Sequence, residues 1–122
     1  MPKKILVADD DPAVREMLRM TLEAEGYEIA AAGDGKEALR LLGSTPFDLL
    51  VLDVEMPYLD GYHLAQQISA GGRSQTPKIL ILTGRDTHQE HHAASLSGAD
   101  AFIQKPCDLD ELIRKIKQLI GT

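Results

Sequence analysis

The chain alternates short apolar runs with helix-like stretches, and four of those runs end directly in a polar side chain. Ile5-Leu6-Val7-Ala8 leads into Asp9 and Asp10, and Leu49-Leu50-Val51-Leu52 into Asp53. Ile79-Leu80-Ile81-Leu82 leads into Thr83, and Phe102-Ile103-Gln104 into Lys105 and Pro106. Apolar runs without polar alternation fit strands covered on both faces, as in parallel sheets. Parallel strands put all their carboxyl ends on one edge, and ligands of open α/β sheets bind at that edge where the strand order reverses. The pattern therefore predicts that Asp9, Asp10, Asp53, Thr83 and Lys105 meet in one pocket.

Between the runs the helical signals recur at even intervals. Asp11-Pro12 opens a first helix, with Asp as cap and Pro at the first helical position, and Val14, Met17, Leu18, Thr21 and Leu22 form its apolar stripe up to Gly26. Tyr27 to Ala31 reads as a second strand, placed toward the sheet edge by the charge of Glu28. After the Asp34-Gly35 turn, a short helix carries Ala38, Leu39 and Leu42 and ends at Gly43. A third helix opens near Gly61 with Leu64, Ala65 and Ile68 inward, and Gly71 to Pro77 is a surface loop too short to separate domains. A fourth, over residues 86–97, has a thin apolar stripe; Ala101 to Gln104 forms the fifth strand, and Leu109, Leu112, Ile113, Ile116, Leu119 and Ile120 mark a strongly amphipathic last helix. The expectation is a single α/β domain over residues 1–122, a doubly wound five-stranded parallel sheet with five helices and no effector domain visible.

Composition narrows the partners. Acids outnumber bases 19 to 13, for a net charge of −6, which disfavours unaided binding to nucleic acid or anionic membrane. No apolar run approaches the roughly 20 residues of a membrane span. The Met1-Pro2-Lys3-Lys4 start leads straight into a strand-like run and not a signal region, so a cytoplasmic protein is expected, and Cys107, the one cysteine, fits a reducing compartment.

Asp9-Asp10, Leu52-Asp53-Val54-Glu55-Met56-Pro57 with Asp60-Gly61, Thr83-Gly84, Gly98-Ala99-Asp100 and Lys105-Pro106 together resemble the receiver domain of two-component response regulators. The resemblance spans essentially the whole chain, in order. It implies a flavodoxin-like sheet of order 2-1-3-4-5. It further implies that Asp53 is the phosphoacceptor, that Asp10 and Asp53 are direct metal ligands with the backbone carbonyl of Glu55, and that Asp9 acts through a bound water. Thr83 and Phe102 resemble the family's switch pair, in which a hydroxyl moves to the phosphoryl group and an aromatic ring turns into the vacated space. The implied role is that of a signalling receiver, not a classical enzyme. Its partners would be a histidine kinase or histidine phosphotransfer protein upstream and an unknown protein downstream, through the face of the fourth helix, fifth strand and last helix.

The chemistry can also be argued from the side chains. Converging carboxylates repel one another by several kcal/mol per close pair at an effective dielectric of about 20, so such a site wants a cation. Hard oxygen ligands suit Mg²⁺ (or Mn²⁺). A carboxylate can then serve as a nucleophile toward phosphorus, with Lys105 as matching positive charge. Three carboxylates, one ammonium and a divalent ion sum to a neutral pocket.

Other readings account for single residues. Asp11 is a helix cap. His88, His91 and His92 share helical spacing, but no cysteine or acid completes a transition-metal site, and they read as a solvated face. A haloacid dehalogenase-type phosphatase would need an Asp-x-Asp motif that Asp53-Val54-Glu55 lacks, and a flavin carrier would cradle phosphate where this chain has acids. The alternative is a phosphorylation-independent protein-binding module on the same fold. Two finer expectations concern the periphery: an ion pair of Glu55 with Arg85 screening the pocket from water, and a pairing of His91 with Glu111 that needs His91 protonated.

Overall fold

The computed structural model describes residues 2–53, 77–83, 99–104 and 108–121. The expected helices near Gly61 and over residues 86–97 lie outside these residues, as do all four histidines and Cys107. The described elements are β1 (Lys4–Ala8), α1 (Pro12–Ala24), β2 (Glu28–Ala32), α2 (Gly35–Ser44), β3 (Leu49–Asp53), β4 (Lys78–Thr83), β5 (Ala101–Gln104) and the C-terminal helix α3 (Leu109–Ile120). The five strands form one sheet of order β2-β1-β3-β4-β5, every neighbouring pair parallel. This is the doubly wound order expected.

Successive side chains of a strand point to opposite faces, and the alternation divides the core in two. Leu6, Leu50, Leu52, Ile79 and Ile81 pack with Ala38 and Leu42 of α2 on one face. Ile5, Val7, Leu49, Val51, Leu80 and Leu82 pack on the other with Leu18 and Leu22 of α1 and Leu112 and Ile116 of α3. Burying a side chain of this size contributes about 1.5–3 kcal/mol, so the central strands hold the sheet edge in place beneath the site.

Each helix starts where its cap demands. The Asp11 side chain accepts from the amide of Ala13 at 2.9 Å, with Pro12 opening α1. Asp34 accepts from Glu37 N at 2.8 Å at the start of α2, and Asp108 from Asp110 N at 2.9 Å at the start of α3. Gly26 stops the α1 turn with φ +97°, a conformation that costs a side-chain-bearing residue more. Three sequence expectations shift. Met17 is 45% exposed because Leu18 and Leu22, four apart, define the buried stripe and Met17 sits about 100° around the helix from Leu18. Gly43 lies inside α2, which continues to Ser44. The second strand runs one residue later than expected, since Tyr27 is buried ahead of it against α1 and α3. As expected, β2 is an edge strand with Glu28 exposed.

Candidate metal centre

The strand register brings the acidic residues together. Ala8 is level with Leu52 across the β1–β3 pair, so Asp9 and Asp53 leave adjacent strand ends side by side. Asp53 is level with Leu82, and Thr83 with Gln104. The backbone of Thr83 therefore lies at the same edge as Asp53, and β5 ends there at Gln104. The side chain of Thr83, Glu55, Arg85, Lys105 and Pro106 lie outside the described residues.

Carboxylate oxygens of Asp9, Asp10 and Asp53 all lie within 4.8 Å of one another. Asp9 is 1% exposed and Asp53 5%, whereas Asp10 faces solvent. Two carboxylates at most 4.8 Å apart repel by at least about 3 kcal/mol at an effective dielectric near 20. Three hard, anionic oxygens with one open side form a donor set that fits Mg²⁺ or Mn²⁺ and leaves positions for water and phosphoryl oxygens.

The loop bearing two of these acids is held from several directions. Asp9 N donates to Ala32 O at 3.1 Å, carrying the β1–β2 ladder one step past the strand. Asp9 Oδ1 accepts from the amide of Asp11 at 2.9 Å. The Asp9 carbonyl accepts from Arg15 Nη1 at 2.8 Å. Sequence reasoning missed Arg15: a base one turn into a helix reads as an ordinary surface charge. The available signal was its position, just beyond a run of three acids.

Phe102 is level with Ile81 and is 37% exposed, on the face of β5 opposite Ile103. Asp100 is structural: its Oδ2 accepts from Ile79 N at 2.8 Å while its own amide donates to Ile79 O at 2.9 Å, joining the beginnings of β4 and β5.

Among the described residues no helix is long and apolar enough to cross a membrane. The family model of the response regulator receiver domain matches residues 5–117. Response regulator MprA of Mycolicibacterium vanbaalenii is 46% identical over 120 residues, covering 98% of this chain and 51% of its own; its namesake in Mycobacterium tuberculosis is 44% identical over the same span. The chain thus spans about half the length of the curated relatives it matches. Response regulator TrrA of Thermotoga maritima, solved in complex with Mg²⁺-BeF, superposes with a TM-score of 0.85 at 38% identity, covering 96% of this chain and 98% of its own. A response regulator of Chloroflexus aurantiacus superposes with a TM-score of 0.92 at 33% identity over the whole of both chains. With the sheet order, the acidic edge and these relatives in agreement, the chain belongs to the receiver domain family of two-component response regulators.

Proposed function

We propose that this receiver is a phosphoacceptor switch in which Asp53 takes a phosphoryl group from the phosphohistidine of a histidine kinase or histidine phosphotransfer protein. The observation that carries the reading is the clustering of the Asp9, Asp10 and Asp53 carboxylates at the carboxyl edge of the sheet, with Asp53 buried at a strand end. A carboxylate oxygen of Asp53 attacks phosphorus, an oxygen–phosphorus bond forms as the nitrogen–phosphorus bond of the donor breaks, and the imidazole leaves with the bonding pair. Asp10, Asp53 and the carbonyl of Glu55 would hold Mg²⁺, with Asp9 acting through water. Bound there, the ion supplies charge neutralisation for the phosphoryl oxygens. Lys105 is read as the ammonium facing the same oxygens. Thr83 and Phe102 are read as the pair that turns the new charge into a change of shape at the face that includes β5 and α3. A cytoplasmic location and a protein target belong to the same reading, because a net charge of −6 opposes direct contact of this domain with polyanions.

The test is intact-mass measurement after incubation with acetyl phosphate and Mg²⁺. One phosphoryl adduct is expected, lost in Asp53→Asn and in chelator. Unchanged mass together with no beryllofluoride binding would overturn the reading in favour of a phosphorylation-independent module.

A further inference from the structure

The Asp9 carbonyl belongs to the peptide group that joins Asp9 to Asp10, so whatever fixes the plane of that group sets where two of the three clustered carboxylates point. The preceding peptide group, between Ala8 and Asp9, is held by the backbone, with Asp9 N donating to Ala32 O at 3.1 Å. The Asp9–Asp10 group is held at its carbonyl by a side chain, Arg15 Nη1 at 2.8 Å, reaching back from the first turn of α1. Arg15 is in turn held on α1 by its own amide, which donates to Asp11 O at 3.0 Å.

The guanidinium fits because of a glycine on another segment. A Cβ built at Gly33, just after β2, would lie 3.0 Å from Arg15 Nη1 and 3.5 Å from its Cζ. Gly33 has no positive φ, so close approach, not backbone conformation, is what the missing side chain serves here. The Gly33 amide is fixed by donating to Glu37 Oε1 at 3.0 Å, and Glu37 N is held by Asp34 Oδ1 at 2.8 Å. The β2–α2 turn is thus a rigid wall against which the guanidinium lies.

We infer that Arg15, seated against Gly33, is a positioning residue for the cation site: it orients the Asp9–Asp10 peptide group and thereby presets the acidic ligands. The inference rests on the reading of the acidic cluster as a Mg²⁺ site. Two effects of the side chain have opposite signs. Its positive charge repels a nearby cation, and its hydrogen bond organises the ligands, so deleting the charge would confuse them. Charge-conserving changes separate the two. Arg15→Lys keeps the charge but replaces the planar fork with a single ammonium on a different stem. Gly33→Ala leaves Arg15 intact and pushes its tip away from the Asp9 carbonyl.

Mg²⁺ affinity is measured by calorimetry on wild type, Arg15→Lys, Gly33→Ala and the double variant, with metal-free melting temperatures alongside. Loss of groups that orient metal ligands typically weakens affinity 10- to 100-fold. About tenfold weaker Mg²⁺ binding is expected in each single variant. The double variant should bind no more weakly than Arg15→Lys, because the new methyl then has no guanidinium to displace. Wild-type affinity in both singles, or lower melting temperatures with unchanged affinity, would overturn the positioning role while leaving the function standing. Absence of Mg²⁺ binding by wild type at millimolar concentration would overturn the metal reading and the inference with it.

Discussion

The hydroxyl of Tyr27 donates a 2.7 Å hydrogen bond to the carbonyl oxygen of Gly121, 94 positions later. It ties the corner between α1 and β2 to the end of α3, beside an ion pair of Lys117 Nζ with Glu25 at 3.0 Å. Tyr27 is 4% exposed and Gly121 closes α3 with φ +76°, so the bond fixes the last turn of the C-terminal helix against the body of the domain. Tyr27→Phe keeps the ring and loses the donor. It should cost about 1 kcal/mol, a fall in melting temperature of roughly 4 °C, while leaving Mg²⁺ affinity unchanged.

The same residue gives a pH signature. Burial pushes the Tyr27 phenol up from its ordinary value of 10, against the opposing charge of Lys117 and with a smaller upward push from Glu25. An acid whose pKa is raised by folding ionises first in the unfolded chain, so the stability it lends is fully present below pH 10 and falls as pH rises toward the folded value. The stability difference between wild type and Tyr27→Phe should therefore be flat below about pH 10 and change only above it. Urea titrations from pH 7 to 11 read this directly, and a difference that varies near neutrality would contradict it.

Metal-linked stability tests the acidic cluster without any phosphoryl donor. An ion that binds the native state alone stabilises it by about 2.7 kcal/mol at a hundred times its dissociation constant. The melting temperature of wild type should climb with Mg²⁺, Asp10→Asn should need more Mg²⁺ for the same rise, and Asp53→Asn should respond least. Parallel curves for all three proteins would count against these carboxylates as ligands.

Phe102 allows the proposed switch to be tested directly, because the chain has two phenylalanines and the other, Phe47, packs against the core near α2. Fluorophenylalanine labelling gives two ¹⁹F resonances, assigned with Phe47→Leu. Mg²⁺ with beryllofluoride should move the Phe102 resonance toward a buried environment and leave Phe47 nearly unchanged. A bound mimic with a static Phe102 resonance would remove this ring from the switch.

At the far end of the sheet, Asp100→Ala strips the partner from Ile79 N and should cost about 1–2 kcal/mol. Lys78, whose Nζ is 3.8 Å from the same carboxylate and half-exposed, should matter less, with Lys78→Ala below about 0.5 kcal/mol. Urea unfolding of the two variants compares the hydrogen bond with the ion pair.

Much of this was legible from local pattern. The uninterrupted apolar runs at Ile5–Ala8 and Leu49–Leu52 become β1 and β3 at the centre of the sheet, and Glu28 marks β2 as an edge, because desolvating a charge is costly wherever both faces are covered. The caps at Asp11 and Asp34 follow from the same chemistry. The breadth of the α1 stripe was less legible: Met17 and Met20 look as apolar as Leu18, yet both are exposed while Leu18 and Leu22, one turn apart, are buried against the sheet.

By itself the sequence determined the five strands, the helices α1, α2 and α3, and that Asp9, Asp10 and Asp53 stand at strand ends, because periodicity and capping act over a few residues. That the three would converge was legible too, but the tertiary structure alone decided how closely, within 4.8 Å, and that Arg15 reaches over the Asp9–Asp10 peptide into the space Gly33 leaves and Tyr27 finds Gly121. Such contacts join segments whose separation in the chain carries no periodic trace, and they exist only once the strand register has fixed the distance between them.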